Sequence, residues 1–152
     1  MTADPVRIRP AAAGDIPRLC ALLAGLFAQE PDFTPDAQRQ QRGLALILGN
    51  PHSGLVFCAT YSAAVIGMVS ILFTISTAEG GPSAWLEDMV VDPAWRSRGV
   101  GTQLLNHAVA EARLAGCTRI TLLTDSGNQR AMRLYSQAGF ARSAMTPFRL
   151  SL

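Results

Sequence analysis

The stretch Arg96-Ser97-Arg98-Gly99-Val100-Gly101-Thr102 holds residue types that could do chemistry at that spacing. It follows an apolar run and opens a helical one. At a helix start the first backbone N–H groups have no helical partner, and the helix dipole adds partial positive charge. Glycines at 99 and 101 let the main chain approach a bulky anion without Cβ clashes, while Arg96 and Arg98 add formal charge. Together these features make a phosphate cradle. A Walker A loop needs Gly-Lys-Ser/Thr, and no lysine stands there. A Rossmann fingerprint needs a third glycine where Leu104 stands. Taken alone, Arg-x-x-Gly-x-Gly is also compatible with an ordinary basic helix start.

The surroundings narrow the reading. Leu86-Glu87-Asp88-Met89-Val90-Val91-Asp92-Pro93 precedes the loop, and Asn128, Tyr135 and Ala138-Gly139-Phe140 follow it one helix and one strand later. This arrangement resembles the GNAT acetyltransferase superfamily, whose cofactor motif is Arg/Gln-x-x-Gly-x-Gly/Ala. The resemblance covers the cofactor half closely and the whole strand order loosely. It implies acetyl-CoA as cosubstrate and no metal. It further implies that Met89, Val90 and Val91 offer main-chain groups to the pantetheine arm, and that Arg96 through Thr102, with Ser97 and Val100 included, hold the pyrophosphate. Asn128 would touch the pantetheine or order its helix, and Tyr135 would protonate the departing thiolate. Ser97 stands where many relatives have glycine, so it must accept that backbone conformation.

The chemistry gives these residues independent sense. A free amine attacks a thioester carbonyl and expels a thiolate, whose simple-thiol pKa near ~8.5 makes modest acid help sufficient. A tyrosine, with a reference pKa of about 10, stays protonated at neutral pH and can donate. Backbone N–H groups near Met89–Val91 could support the oxyanion, and positioning two substrates would supply much of the rate. Tyr135 shares its helix stripe with Ala131, Leu134 and Ala138, so it also fits a core tyrosine. Glu87 alternates with Met89 and Val91 and shares their face unless a bulge intervenes. It reads as a water-mediated base or as a structural carboxylate, and it ranks ahead of Asp88, which would point the other way. Asn128 also fits a plain N-cap.

The elements that position these groups follow from periodicity. Val6–Arg9 reads as an edge strand. Asp15 reads as the N-cap of a helix carrying Ile16, Leu19, Cys20, Leu23, Leu26 and Phe27 on one face, and Glu30-Pro31-Asp32 breaks it. Thr34-Pro35 restarts a helix that Gly49-Asn50-Pro51 ends. Leu55–Tyr61 and Val65–Ile75 form a hairpin, Thr77–Ser83 a loop and Ala84–Val91 a strand. Gly99–Ala115 is a helix, Thr118–Thr124 a buried strand, Asn128–Ala138 a helix, and Phe140–Leu152 the last strand or two. The fold class is α/β, in the order β-α-α-β-β-β-α-β-α-β. We expect a mixed, mostly antiparallel sheet with helices on both faces, and a parallel pair that splays to admit the cofactor.

The 152 residues suit one domain, 1–152, with 49% hydrophobic and 16% charged residues and a net charge of +2. No basic stripe points to nucleic acid, and no apolar run approaches the ~20 residues that span a bilayer. Cys20, Cys58 and Cys117 are far apart, and His52 and His107 stand alone, so neither a metal site nor a disulfide framework is expected. His107 reads as solvent-facing. A cytoplasmic enzyme acting on a small-molecule amine, and possible as a homodimer, is the resulting expectation. Glu30, Asp32 and Glu79 hint that the amine is cationic. A non-catalytic acyl-CoA sensor is the alternative, and a nucleotide-binding domain is a third reading, disfavoured by the two failed motif tests.

Overall fold

The computed structural model describes residues 5–30, 32 and 34–152. Within them the elements are β1 (Arg7–Pro10), α1 (Ile16–Phe27), α2 (Ala37–Leu48), β2 (Gly54–Tyr61), β3 (Ala64–Ser76), β4 (Gly81–Val91), α3 (Val100–Leu114), β5 (Ile120–Leu122) and α4 (Gln129–Gln137). The sheet order is β1-β2-β3-β4-β5. The first three pairings are antiparallel, and β4 with β5 is parallel.

Strand alternation sends successive side chains to opposite faces, and helices cover both. On one face, Val100, Leu104, Leu105, Ala108 and Ala112 of α3 pack against Phe57, Ala59, Val69, Ile71, Ala84 and Leu86. On the other, Leu19, Cys20, Leu22 and Leu23 of α1 and Leu44 of α2 meet Val56, Cys58, Met68 and Val90. β4 therefore runs between two apolar layers, which is the position a two-substrate site requires.

Several boundaries differ from the sequence expectation, each for a local reason. Asp15 stands at the N-cap position of α1, but its side chain bonds no N–H of that helix. Its carboxylate accepts from the Ala12 N–H at 2.8 Å and pairs with Arg9 at 2.7 Å, closing the turn before the helix. Asp36, not Thr34, caps α2, accepting from the N–H groups of Gln38 and Arg39 at 3.1 Å each. Pro31, placed in the helix break, lies outside the described residues, as does Phe33. The loop before β4 shortens because β3 pairs back as far as Ser76 with Gly81. His107 is not solvent-facing: its ring stands edge-on to Phe57 at 4.5 Å, with Glu111 3.7 Å away.

The largest correction concerns the C-terminus. Phe140–Leu152 carries strand-like alternation, yet no residue there is in a strand, and everything after Phe140 is exposed. A strand exists only where an edge accepts it, and among the described residues no strand pairs with this segment. The expected final β of the element order is therefore missing.

α3 carries the cradle at its N-terminus, so its seating matters. Leu104 has no exposed surface. Leu104→Ala should cost about 3 kcal/mol and lower Tm by about 6–12 °C, readable by calorimetry.

Candidate active site

The cradle is built as the sequence suggests. After Asp92 a short 3-10 turn, Pro93–Trp95, leads into the loop, and Gly99 takes φ 80° as the N-cap of α3. Ser97 also adopts a left-handed φ of 59°, unusual for a residue with a side chain. The N–H groups from Ser97 to Thr102 find no hydrogen-bond acceptor among the described residues. At Gly101 an added Cβ would stand 3.4 Å from Leu134 and 3.9 Å from Val91, ordinary contact distances, so the start of α3 sits beside α4 and β4 with room for a methyl group.

Arginines surround this loop. Arg96 donates from Nε to the Val91 carbonyl at 3.3 Å. The Arg98 guanidinium lies 5.1 Å from the centre of the Trp95 ring, which in turn packs on Tyr61. Arg130, from the first turn of α4, donates to Ser97 Oγ at 3.2 Å. Asp92, behind the loop, is held below its usual range by the Ala94 N–H and by Arg18. Asp92 thus ties the start of the loop to Arg18 of α1, while Arg96 is half-buried and Arg98 is exposed.

The second feature is in β4. Ser70 pairs with Asp88, but the next pair is Ile71 with Leu86, so Glu87 is an extra residue in a β-bulge. The bulge breaks the alternation that grouped Glu87 with Met89 and Val91. Glu87 is exposed, while Asp88 turns with Val90 toward the α1–α2 layer. The Asp88 N–H donates to the fully buried Ser70 Oγ at 3.2 Å. Its carboxylate has no donor or cation partner among the described residues. Burial, with Glu87 and Glu30 nearby, pushes Asp88 up to about 7. Burial also raises Glu30, in the company of Asp32, Glu87 and Asp125.

Between these features the sheet opens. β5 pairs with β4 only from Ala84–Ile120 to Leu86–Leu122, and β4 continues to Val91 without a neighbour on that side. Tyr135 lies on α4 beside the opening, in the layer that also holds Met89, Val91 and Leu134. Its ring packs edge-on to Phe140 at 5.8 Å, and burial raises its pKa. The hydroxyl bonds no protein atom among the described residues, unlike that of a satisfied core tyrosine. Asn128 is the N-cap of α4, accepting from the Ala131 N–H at 3.1 Å.

This geometry matches known proteins. The acetyltransferase (GNAT) family model matches residues 18–140. The chain belongs to the GNAT family. An uncharacterized N-acetyltransferase of Bacillus subtilis is 30% identical, with 89% of each chain covered. The aminoalkylphosphonate N-acetyltransferase of Salmonella typhimurium is 29% identical over 90% of this chain and 85% of its own. In fold, the chain superposes on an aminoglycoside N-acetyltransferase solved with CoA at a TM-score of 0.83. That match is 20% identical and covers 99% of this chain and 97% of the other.

This GNAT chain is an acetyl-CoA-dependent N-acetyltransferase. Its own residues fit that cosubstrate: an unpaired run of N–H groups for phosphate, arginines beside it and an open strand edge. Of the residues singled out from sequence, Met89, Val91, Val100 and Tyr135 share the α3 layer, Arg96, Ser97, Arg98, Gly99, Gly101 and Thr102 form the loop and first turn at the start of α3, and Asn128 caps α4. Val90 belongs to the opposite layer through its side chain. Glu79, read from sequence as a hint of a cationic amine, stands before the start of β4 with Arg119 3.9 Å away. Two residues came only with the structure. Arg130 had no signal beyond following Asn128, and the weight of Asp88 depends on a bulge that sequence does not announce.

The raised Asp88 pKa sets a pH dependence. The folded chain keeps this proton to about pH 7 while the unfolded chain releases it near 3.8, so stability falls as pH rises across that window. Asp88→Asn should match the parent Tm near pH 4. At pH 8 it should exceed the parent by several degrees, on the order of 2 kcal/mol. An equal Tm difference at both pH values would show that Asp88 is not the group responsible.

Proposed function

We propose that this N-acetyltransferase acts on the primary amine of a small cationic molecule, by direct transfer with both substrates bound. The observation that carries this reading is the unpartnered, inward Asp88 carboxylate beside Glu30 and Glu87, at the point where β4 loses its neighbour. A buried carboxylate without a cation attracts an ammonium, and one with a pKa near neutrality can also take its proton. Related proteins act on small amines by name, including aminoalkylphosphonate and glucosamine 6-phosphate N-acetyltransferases. Those two acceptors carry an anionic group. The acids here disfavour one, and so favour an amine with a second positive charge or none.

Acetyl-CoA supplies the activated acetyl thioester. Everything else is done by residues of the chain. The N–H groups from Ser97 to Thr102, with Arg96, Arg98 and Arg130, hold the pyrophosphate. The open edge of β4 at Met89–Val91 offers main-chain groups to the pantetheine arm. Asp88 accepts the ammonium proton from the α1–α2 side, with Glu87 at the bulge as a water-linked relay. Tyr135, protonated because it is buried, gives a proton to the sulfur from the α3–α4 side. Asn128 fixes the helix that carries Tyr135. The acid and the base thus reach one strand edge from opposite faces of the sheet, and no covalent enzyme intermediate is needed. We also propose that the enzyme works in the cytoplasm as a homodimer, with Cys20, Cys58 and Cys117 kept as thiols.

The first test is thermal unfolding with acetyl-CoA, CoA, ATP and NAD in parallel, followed by an amine panel. A ligand at 100 times its Kd adds about 2.7 kcal/mol, and only the two CoA compounds should do so. Diamines and other polyamines should exceed aminophosphonates in kcat/KM. Tyr135→Phe and Asp88→Asn should each lower kcat by about 100-fold while leaving the acetyl-CoA shift in place. A preference for phosphonate acceptors would overturn the cationic assignment, and an unchanged kcat would remove the residue from its role.

A further inference from the structure

We infer that Gln40 of α2 is a second acceptor-binding residue, whose side-chain amide bonds a neutral donor–acceptor group carried by the cationic amine. This rests on the reading of Asp88 as the group that receives the amine, and it names what else the acceptor carries.

The buried polar side chains among the described residues are Gln40, Thr60, Ser70, Ser76 and Ser83. All but Gln40 are bonded. Thr60 Oγ1 donates to the Arg7 carbonyl, and Ser83 Oγ shares a hydrogen bond with Thr74. Ser70 Oγ accepts from the Asp88 N–H, and Ser76 Oγ from that of Glu79. Gln40 is only 8% exposed, yet neither its Oε1 nor its Nε2 has a partner. A buried amide without partners opposes folding, whereas methionine would fill similar space at similar helix propensity without that cost. A partner that arrives with the substrate accounts for a glutamine there.

Its place in the fold agrees. Gln40 and Leu44 are the buried residues of α2, one turn apart on one face, and Leu44 packs with Leu19, Leu23, Val56 and Met68. The amide therefore belongs to the layer toward which Asp88 turns. Gln40 lies in the first turn of α2, its N–H bonded to the Asp36 carbonyl at 3.0 Å. The connection that enters this turn starts at Glu30, whose charge is felt by Asp88. In this layer the Asp88 carboxylate and the Gln40 amide both lack a partner.

The two groups ask for different things. A carboxylate takes an ammonium. An amide has an acceptor oxygen and N–H donors, so it is answered by a group that both gives and takes hydrogen bonds, a hydroxyl or a carboxamide.

Two matched pairs of amines test this with the full-length enzyme and acetyl-CoA: diaminopropanol against diaminopropane, and lysinamide against diaminopentane. In at least one pair the parent enzyme should favour the member with the neutral polar group by about 100-fold in kcat/KM, because a site built to bond such a group rejects the analogue lacking it. The favoured pair tells hydroxyl from carboxamide. Gln40→Met should abolish the preference while leaving kcat/KM for the plain diamine within about twofold. It should also raise Tm by about 2–8 °C, because an unpaired buried amide is gone. Equal rates within both pairs would overturn the proposal, as would a preference that survives Gln40→Met. A fall in Tm would do the same, since the amide would then be bonded within the chain. Failure of the underlying reading looks different: no diamine would be acetylated, or Asp88→Asn would leave the plain diamine rates unchanged, and Gln40 would lose its role with it.

Discussion

Everything in this site depends on where the β4–β5 pairing stops. The two strands share three register pairs, and the last is Leu86 with Leu122. Past that point the sheet has a strand edge that is internal to the fold yet unpaired. Helices on both sides keep this edge from collapsing: α3 and α4 hold one wall, and α1 and α2 the other. The bulge at Glu87 falls at the first residue beyond the last pair. A bulge needs a neighbour strand that can tolerate a twist, and β4 has only β3 to satisfy there. The opening and the bulge are therefore one structural event.

The sheet also separates charge. Arg96, Arg98 and Arg130 gather at the N-termini of α3 and α4, whereas Glu30, Glu87 and Asp88 gather toward the end of α1. Every basic side chain in the sequence is arginine, and lysine does not occur. Guanidinium suits phosphate through its planar fork and stays charged in any surroundings. An enzyme that acetylates amines also gains something by this choice, since its own surface presents no ε-amine to compete with the acceptor. The α3–α4 layer and the α1–α2 layer thus carry opposite charge on either side of β4.

The cradle and the helix faces were legible in the sequence because they rest on local rules. Gly99 and Gly101 sit where a helix start must meet an anion, and Leu104, Leu105, Ala108 and Ala112 repeat at helical spacing. Asn128 as a helix cap was readable for the same reason, whereas the reading of Tyr135 came with the resemblance to the family. The long-range features were not legible. The shortness of β5 and the absence of a final strand depend on which edges find partners, and alternation alone carries no such information. The facing of Asp88 depends on one extra residue in a register that only pairing with Ser70 reveals. His107 reads as a polar surface residue until Phe57, from a different strand, is seen against it.

The groups that define the site are those the fold leaves unsatisfied. The N–H groups of the cradle have no acceptor, the Asp88 carboxylate has no donor, and the Tyr135 hydroxyl has no partner among the described residues. Ser97 holds a left-handed conformation that a side chain disfavours by roughly 1–2 kcal/mol. Each of these opposes folding, and each would be relieved by a simple substitution. They are offset by the two apolar layers, in which Leu19, Met68, Ile71 and Leu104 have no exposed surface. The core is dense where the chain meets itself, and these polar groups are left open at the start of α3, on β4 and on α4.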